Sequence, residues 1–389
     1  MDKKLVSVCT FEGKGGFGCN PKYLVEKLHE KDKSLKFVWF VNENAWDKEF
    51  PDYIKKVKNT IFSRAYYLSK SKVWIDNYRK PYGTVKRRGQ YYINTNHYTL
   101  GIKTVGLWRG EGFSKIAYMV SKNDSDMIDD LVIDSKFGEA VSEKGLVYDG
   151  YLLKSGAPRD DVLYGDRSEI KRQYRAENGL ANDAKILLFA PTFRERAREG
   201  KRSVYSQEWT IDFKGLIDSL EKKFAGKWYI CVKVHPQLAA EFEDYKNPDI
   251  ADRILNESHR DDFTGLLAAM DAYITDYSSA CFEAGFAHIP VFIYADDIKK
   301  YQEDRGSLYW NMASDQLNQV GANQDILPGW SQQFPFAIGE DNSGLQKIIQ
   351  EFDQGDYDKR LDEFYSSIDQ IFDGKASERV ADRVLDRVR

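Results

Sequence analysis

Ala272-Tyr-Ile-Thr-Asp-Tyr-Ser-Ser-Ala-Cys-Phe-Glu-Ala-Gly-Phe-Ala-His-Ile-Pro-Val-Phe-Ile-Tyr294 holds one complete β-α-β pattern. Ala272-Tyr-Ile-Thr275 is a short β-type run, Ala280 to Ala287 is helix-like, and Val291-Phe-Ile-Tyr294 is a second strand. A strand, a crossover helix and another strand in this order read as a parallel pair. Between strand and helix, Ser278 and Ser279 bring small hydroxyls and free backbone N–H groups to one spot. That combination suits an anion, most naturally a phosphate, and equally suits an ordinary Asp or Ser helix cap.

The same alternation extends outward. Lys185-Ile-Leu-Leu-Phe-Ala190 and Trp228-Tyr-Ile-Cys-Val-Lys-Val234 are strands of the same unit. Leu5 to Cys9 and Phe37 to Val41, with a helix over Pro21 to Lys31, begin an earlier one. The pattern predicts an α/β protein of two Rossmann-like domains facing a central cleft. The expected bounds are 1–165 for the N-terminal domain, 180–355 for the C-terminal domain and 356–389 for a helical tail that crosses back. The charged stretch Asp160 to Ala184, with turns at Asn178-Gly179 and Asn182-Asp183, marks the junction. Ligands of such folds bind where strand ends meet.

Composition narrows the function. A chain of 389 residues, 42% hydrophobic, buries a large core and is more naturally two domains than one. Its net charge of -4 gives no polycation, so nucleic acid is not an expected partner. Cys9, Cys19, Cys231 and Cys281 are scattered without a CxxC pair, which argues against a zinc cage or disulfide scaffold and suits a reducing, cytoplasmic setting. The apolar run at the start is too short for a signal peptide. No stretch approaches the roughly 18 to 20 apolar residues of a membrane span, so any membrane contact is expected to be peripheral. HExxH, GxSxG and EF-hand patterns are absent, and dependence on a divalent metal stays open because no dedicated carboxylate cluster stands out.

The remaining candidates also follow predicted strands. Lys233-Val-His235-Pro236 puts Lys233 and His235 on one face, where both can address one ligand. Ala190-Pro-Thr192-Phe-Arg194 offers a guanidinium suited to bidentate phosphate binding. Tyr91-Tyr-Ile-Asn94-Thr-Asn-His97 ends a strand with a candidate general base, His97, followed by Lys103. A basic and aromatic run, Tyr78 to Gln90, reads as a solvated loop, with contact to an anionic surface as the alternative. Gly13-Lys-Gly-Gly-Phe-Gly18 lacks the spacing of a P-loop and reads as a weak phosphate-loop hint or a flexible turn.

Ala190-Pro-Thr-Phe-Arg194, Lys233-Val-His-Pro236 and Ile274-Thr-Asp-Tyr-Ser-Ser279, in this order, resemble the signature of the CDP-glycerol glycerophosphotransferases of teichoic acid and capsule synthesis. The likeness extends to Asn20-Pro-Lys22, Ala65-Tyr-Tyr-Leu68, Ser155-Gly-Ala-Pro-Arg159, Phe286 to Tyr294 and Tyr301 to Gly306, covering residues 1–350 or so. The resemblance implies a GT-B-like fold and transfer of a polyol phosphate from a CDP-polyol donor to a hydroxyl. The acceptor it implies is a lipid-linked saccharide or polymer at the inner membrane face. It implies His97 as acceptor base and His235 as a second catalytic residue at the donor diphosphate. Thr192, Arg194, Lys233, Asp276, Ser278, Ser279 and Arg305 would surround the donor. Asn96-His97-Tyr98 stands where the family has Trp-His-Gly, a change at the acceptor side. A GT-B glycosyltransferase using a nucleotide sugar and a non-catalytic member of an envelope-building complex are the competing readings.

Overall fold

In the computed structural model, residues 1–97, 100–192, 194–198, 201–205, 210–234, 249–305, 308–312 and 333–388 are described. The first sheet has seven parallel strands, β1 (Asp2–Cys9), β2 (Lys36–Val41), β3 (Ile54–Lys58), β4 (Ser71–Asp76), β5 (Tyr91–Asn94), β6 (Asp130–Ile133) and β7 (Leu152–Lys154). Their order is β3-β2-β1-β4-β5-β6-β7. β8 (Lys185–Phe189) starts the second sheet, and β9 (Arg194–Arg198) pairs antiparallel with β10 (Lys201–Tyr205). β11 (Trp228–Val232), β12 (Ile254–Asn256), β13 (Ala272–Thr275), β14 (Val291–Tyr294) and β15 (Ala337–Gly339) complete the second sheet in the order β12-β11-β8-β13-β14-β15. Strands buried on both faces account for the near-continuous apolar runs, such as fully buried β11 and β13.

Both sheets reverse direction of winding once, at β1/β4 and at β8/β13. At such a switch the crossovers leave to opposite faces and a crevice opens beyond the carboxyl ends of the two strands. The predicted clusters therefore fall where the topology leaves room.

The helices are α1 (Cys19–Lys31), α2 (Ile61–Lys70), α3 (Lys115–Ser125), α4 (Lys136–Leu146), α5 (Ser168–Glu177), α6 (Phe213–Phe224), α7 (Phe263–Ala268), α8 (Ala280–Phe286), α9 (Ile298–Arg305), α10 (Asn342–Glu351), α11 (Gln354–Ser367) and α12 (Ala376–Val388). Side-chain caps begin several of them: Thr60 for α2, Ser114 for α3, Ser135 for α4 and Asp262 for α7. α5 packs on the second sheet through Tyr174 and an ion pair of Lys171 with Asp271 at 2.8 Å. α12 buries Val380, Ala381, Val384 and Val388 in the core of the first sheet, against α1.

The two units share one apolar core, in which Leu100, Ile102 and Phe137 meet Phe282, Tyr309 and Trp310. A short strap fixes them: Tyr309 N donates to Ile102 O at 2.8 Å, Trp310 Nε1 to Gly101 O at 2.8 Å, and Lys103 bridges Leu308. On the other side, Lys48 pairs with Asp261, and Asp262 pairs with Lys22 while accepting from Tyr23 OH at 2.9 Å. Gly16 of the loop after β1 lies so close to the Asp261 carboxylate that a Cβ there would clash. Gly16 thus allows close approach to the Asp261 carboxylate and Gly18 to the Asp261 and Asp262 backbone, and a carboxylate neighbour disfavours a phosphate.

Candidate active site

His97 follows β5 on a backbone turned by Asn96, whose φ is 53°. Asn96 Oδ1 accepts from His97 N at 2.8 Å, the local bond that makes Asn tolerant of this left-handed conformation. The Asn77 carbonyl, just beyond β4, lies 2.9 Å from His97 Nδ1. A carbonyl only accepts, so Nδ1 carries the proton and Nε2 carries the lone pair. Burial pushes the imidazole pKa down to about 4, the Asn77 bond opposing and Arg159 adding to the shift. The ring is therefore neutral at neutral pH and able to accept a proton. Phe11 and Tyr78 hold it with ring centres at 5.3 and 5.5 Å.

His97 lines a cavity of about 480 Å³ together with Ser278 and Ser279 of the second domain. The candidate base and the hydroxyls at the β13/α8 turn thus face one space. Lys103 and Arg109 stand on the same wall.

Thr192, Arg194, Asp276 and Lys233 are not among the residues lining this cavity. Asp276 ties the two loops of the second switch point together. It accepts from Thr192 N at 2.8 Å, Thr192 Oγ1 at 2.9 Å and Tyr277 N at 2.5 Å, and pairs with Arg194 at 2.7 Å. Arg194, only 3% exposed, reaches Asp297 through Nε at 2.7 Å and Nη2 at 2.8 Å. Its Cζ lies 5.1 Å from the ring centres of both Tyr277 and Tyr301. The bidentate geometry expected for a phosphate is taken here by a carboxylate, because Asp297 comes from a loop a hundred residues away. Lys233 donates to the carbonyls of Arg260 and, at 3.4 Å, Glu257, and burial lowers its pKa to about 8. His235, the side chain of Arg305 and Tyr98 lie outside the described residues. Among the described residues, no three His, Cys, Asp or Glu side chains are grouped to hold a metal ion.

A second network, hidden in the sequence, joins the halves. Glu283 of α8 pairs with Arg159, whose backbone N donates to Asn20 Oδ1 at 3.0 Å. Asn20 Nδ2 in turn donates to the carbonyls of Thr95 and Asn96, both at 2.9 Å. The chain runs from the Ser278-Ser279 helix to the peptide that carries His97. Asn20 and Arg159 were visible only inside motifs, and nothing in the order of residues reveals that they touch. Burial raises the pKa of both Glu283 and neighbouring Asp160, with Arg159 offsetting it for Glu283.

The basic run Tyr78 to Gln90 is not simply a solvated loop. Lys80 is 5% exposed and pairs with Asp76 at 3.0 Å, because the chain turns inward after β4. Arg79 lines the cavity, while Tyr82, Val85 and Arg88 point outward.

The sequence profile of the CDP-glycerol:poly(glycerophosphate) glycerophosphotransferase family matches residues 1–386. The chain is 27% identical over 390 residues to a teichoic acid poly(glycerol phosphate) polymerase of Staphylococcus epidermidis, covering 96% of this chain and 50% of that one. It is 24% identical over 401 residues to a teichoic acid glycerol-phosphate transferase of Staphylococcus aureus, covering 99% and 93%. This chain therefore spans about half the length of the first relative and nearly all of the second. A solved structure of the wall teichoic acid polymerase TagF superposes with a TM-score of 0.78 at 25% identity, covering 100% of this chain and 90% of that one. With its two facing doubly wound sheets, the chain belongs to the CDP-glycerol:poly(glycerophosphate) glycerophosphotransferase family.

Proposed function

We propose that this protein transfers glycerol phosphate from CDP-glycerol to a hydroxyl of a polyol phosphate or lipid-linked acceptor. The observation that carries the proposal is the shared cavity, whose wall is formed by a neutral histidine with its lone pair on Nε2 and by Ser278 and Ser279 of the second domain. An alcohol is a poor nucleophile at neutral pH and needs a base, which His97 supplies. The acceptor oxygen attacks the phosphorus that bears the glycerol, the bond from that phosphorus to CMP breaks, and the proton passes to Nε2. A phosphodiester and CMP are the products. Charge growing on the phosphoryl oxygens calls for fixed donors, a role for Ser278 and Ser279. Thr192, Arg194 and Asp276 serve by holding that turn in place. Lys233, His235 and Arg305 remain proposed donor-side residues on the family resemblance.

Among the described residues no helix is long and apolar enough to cross a membrane. Contact with the inner membrane face is instead proposed at the cleft mouth. There α2 exposes Ile61 and Phe62, the latter 88% exposed, α3 exposes Ile116 and Met119, and the loop between exposes Tyr82 and Val85 beside Arg88. The loop is pinned to both helices, by Arg87 to Ser69 O at 3.0 Å and by Gly83 N to Asn123 Oδ1 at 2.8 Å.

Incubating the protein with CDP-glycerol, CDP-ribitol and a set of UDP-, GDP- and CMP-sugars, with and without acceptor, tests the donor. CMP release from CDP-glycerol is expected. Turnover of a nucleotide sugar with no CDP-polyol consumed would contradict the proposal.

A further inference from the structure

Two buried donors near His97 have no hydrogen-bond partner among the described residues, Asn77 Nδ2 and Arg79 Nε. Asn77 is 1% exposed, and its remaining groups are committed. Its Oδ1 accepts from Phe11 N at 2.9 Å, and its carbonyl holds His97 Nδ1. Arg79 is anchored through Nη1 to Ser121 Oγ at 3.0 Å, which fixes the guanidinium while Nε stays unused. Buried donors are almost always satisfied, so two orphans on residues that line one cavity call for a ligand oxygen.

The surroundings set the charge of that ligand. Arg79, Lys103 and Arg109 line the cavity against one carboxylate, Asp124. Asp124 accepts from Lys80 N at 2.9 Å and Tyr92 OH at 3.1 Å, and burial pushes its pKa up to about 7. Arg79 also lines a second cavity of about 290 Å³ above the ends of β1, β2 and β4, whose wall sets Lys14, Arg64 and Lys80 beside Glu12 and Asp76. The two cavities thus meet at one guanidinium, on the opposite domain from Ser278 and Ser279.

We infer that Asn77 and Arg79 form an anion subsite for the acceptor. Their free N–H groups bind the phosphodiester next to the attacking hydroxyl, and the second cavity receives the following portion of the acceptor chain. The inference rests on the transferase reading and specifies its acceptor as a chain already carrying a phosphodiester.

The test uses the full chain with a synthetic glycerol phosphate trimer, its binding measured by calorimetry and its use as acceptor by CMP release from CDP-glycerol. R79Q and N77D should each weaken trimer binding roughly tenfold or more. R79K, which keeps the charge but lacks the Nε donor, should fall between them and the unaltered protein. In R79Q the KM for CDP-glycerol, and turnover with free glycerol as acceptor, should stay within about twofold. Unchanged trimer binding in R79Q and N77D, failure of the unaltered chain to bind the trimer, or a rise in donor KM instead would overturn the subsite. If the trimer binds and the variants weaken it, yet no CDP-polyol is turned over, the subsite stands and the transferase reading falls.

Discussion

At the switch point of the second sheet, Arg194 is enclosed by Asp276, Asp297 and two tyrosine rings. At the switch point of the first, Asn77 and Arg79 keep donors that nothing in the described protein uses. Both crevices arise from the same winding, so topology does not explain the difference. The second domain commits its charges to shaping the turn that presents Ser278 and Ser279. The first keeps buried donors unused and holds His97 neutral by burial, with the Asn77 carbonyl fixing its tautomer. A charged residue in a strong motif is thus held by carboxylates of its own domain, while residues outside the motifs keep buried donors unused.

The comparison can be broken most sharply through stability. R194M leaves buried Asp276 and half-buried Asp297 without their cation, and the loss of unfolding free energy should be about 3–5 kcal/mol. R79Q, which gives up the Nη1 bond to Ser121 but no ion pair among the described residues, should cost about 1 kcal/mol. Urea unfolding of the two variants checks this, and equal losses would erase the contrast. A smaller effect is expected at the serines. S278A combined with S279A should lower kcat/KM for CDP-glycerol about 10- to 100-fold with little change in stability, if these hydroxyls stabilise the phosphoryl oxygens. Steady-state kinetics with the acceptor held saturating decides that point.

The pH profile sharpens the other half. His97 acts as a base only when neutral, and its lowered pKa of about 4 keeps it neutral down to that pH. The acid limb of kcat/KM should therefore lie far below the ordinary imidazole value of about 6.5. An acid limb near the ordinary value, abolished in H97N, would mean that the ring is more solvated than its packing indicates.

Much of the fold was legible because strands buried on both faces must be apolar. The runs at Leu5 to Cys9, Lys185 to Ala190 and Ala272 to Thr275 closely match β1, β8 and β13. Loop positions followed from strand ends, which is why His97, Ser278 and Ser279 could be singled out and do line one cavity. What a side chain bonds to was not legible. Arg194 reads as a phosphate clamp, and the carboxylate it also bonds, Asp297, is distant in sequence and so was hidden. Lys80 looked solvated because its charge is visible in the run while its pairing with Asp76 is not. Glu283 read as one residue of a helix, yet it anchors Arg159 and through Asn20 the backbone of His97.

The central claim is that His97 removes the acceptor proton in a cleft whose donor side is built by the other domain. It is tested most directly by acceptor-dependent CMP release from CDP-glycerol in H97A, measured alongside donor affinity. The account predicts a fall in kcat of about 10²- to 10⁴-fold, with CDP-glycerol bound within about threefold as tightly as before. Release at a rate within a few-fold of the unaltered protein would contradict it.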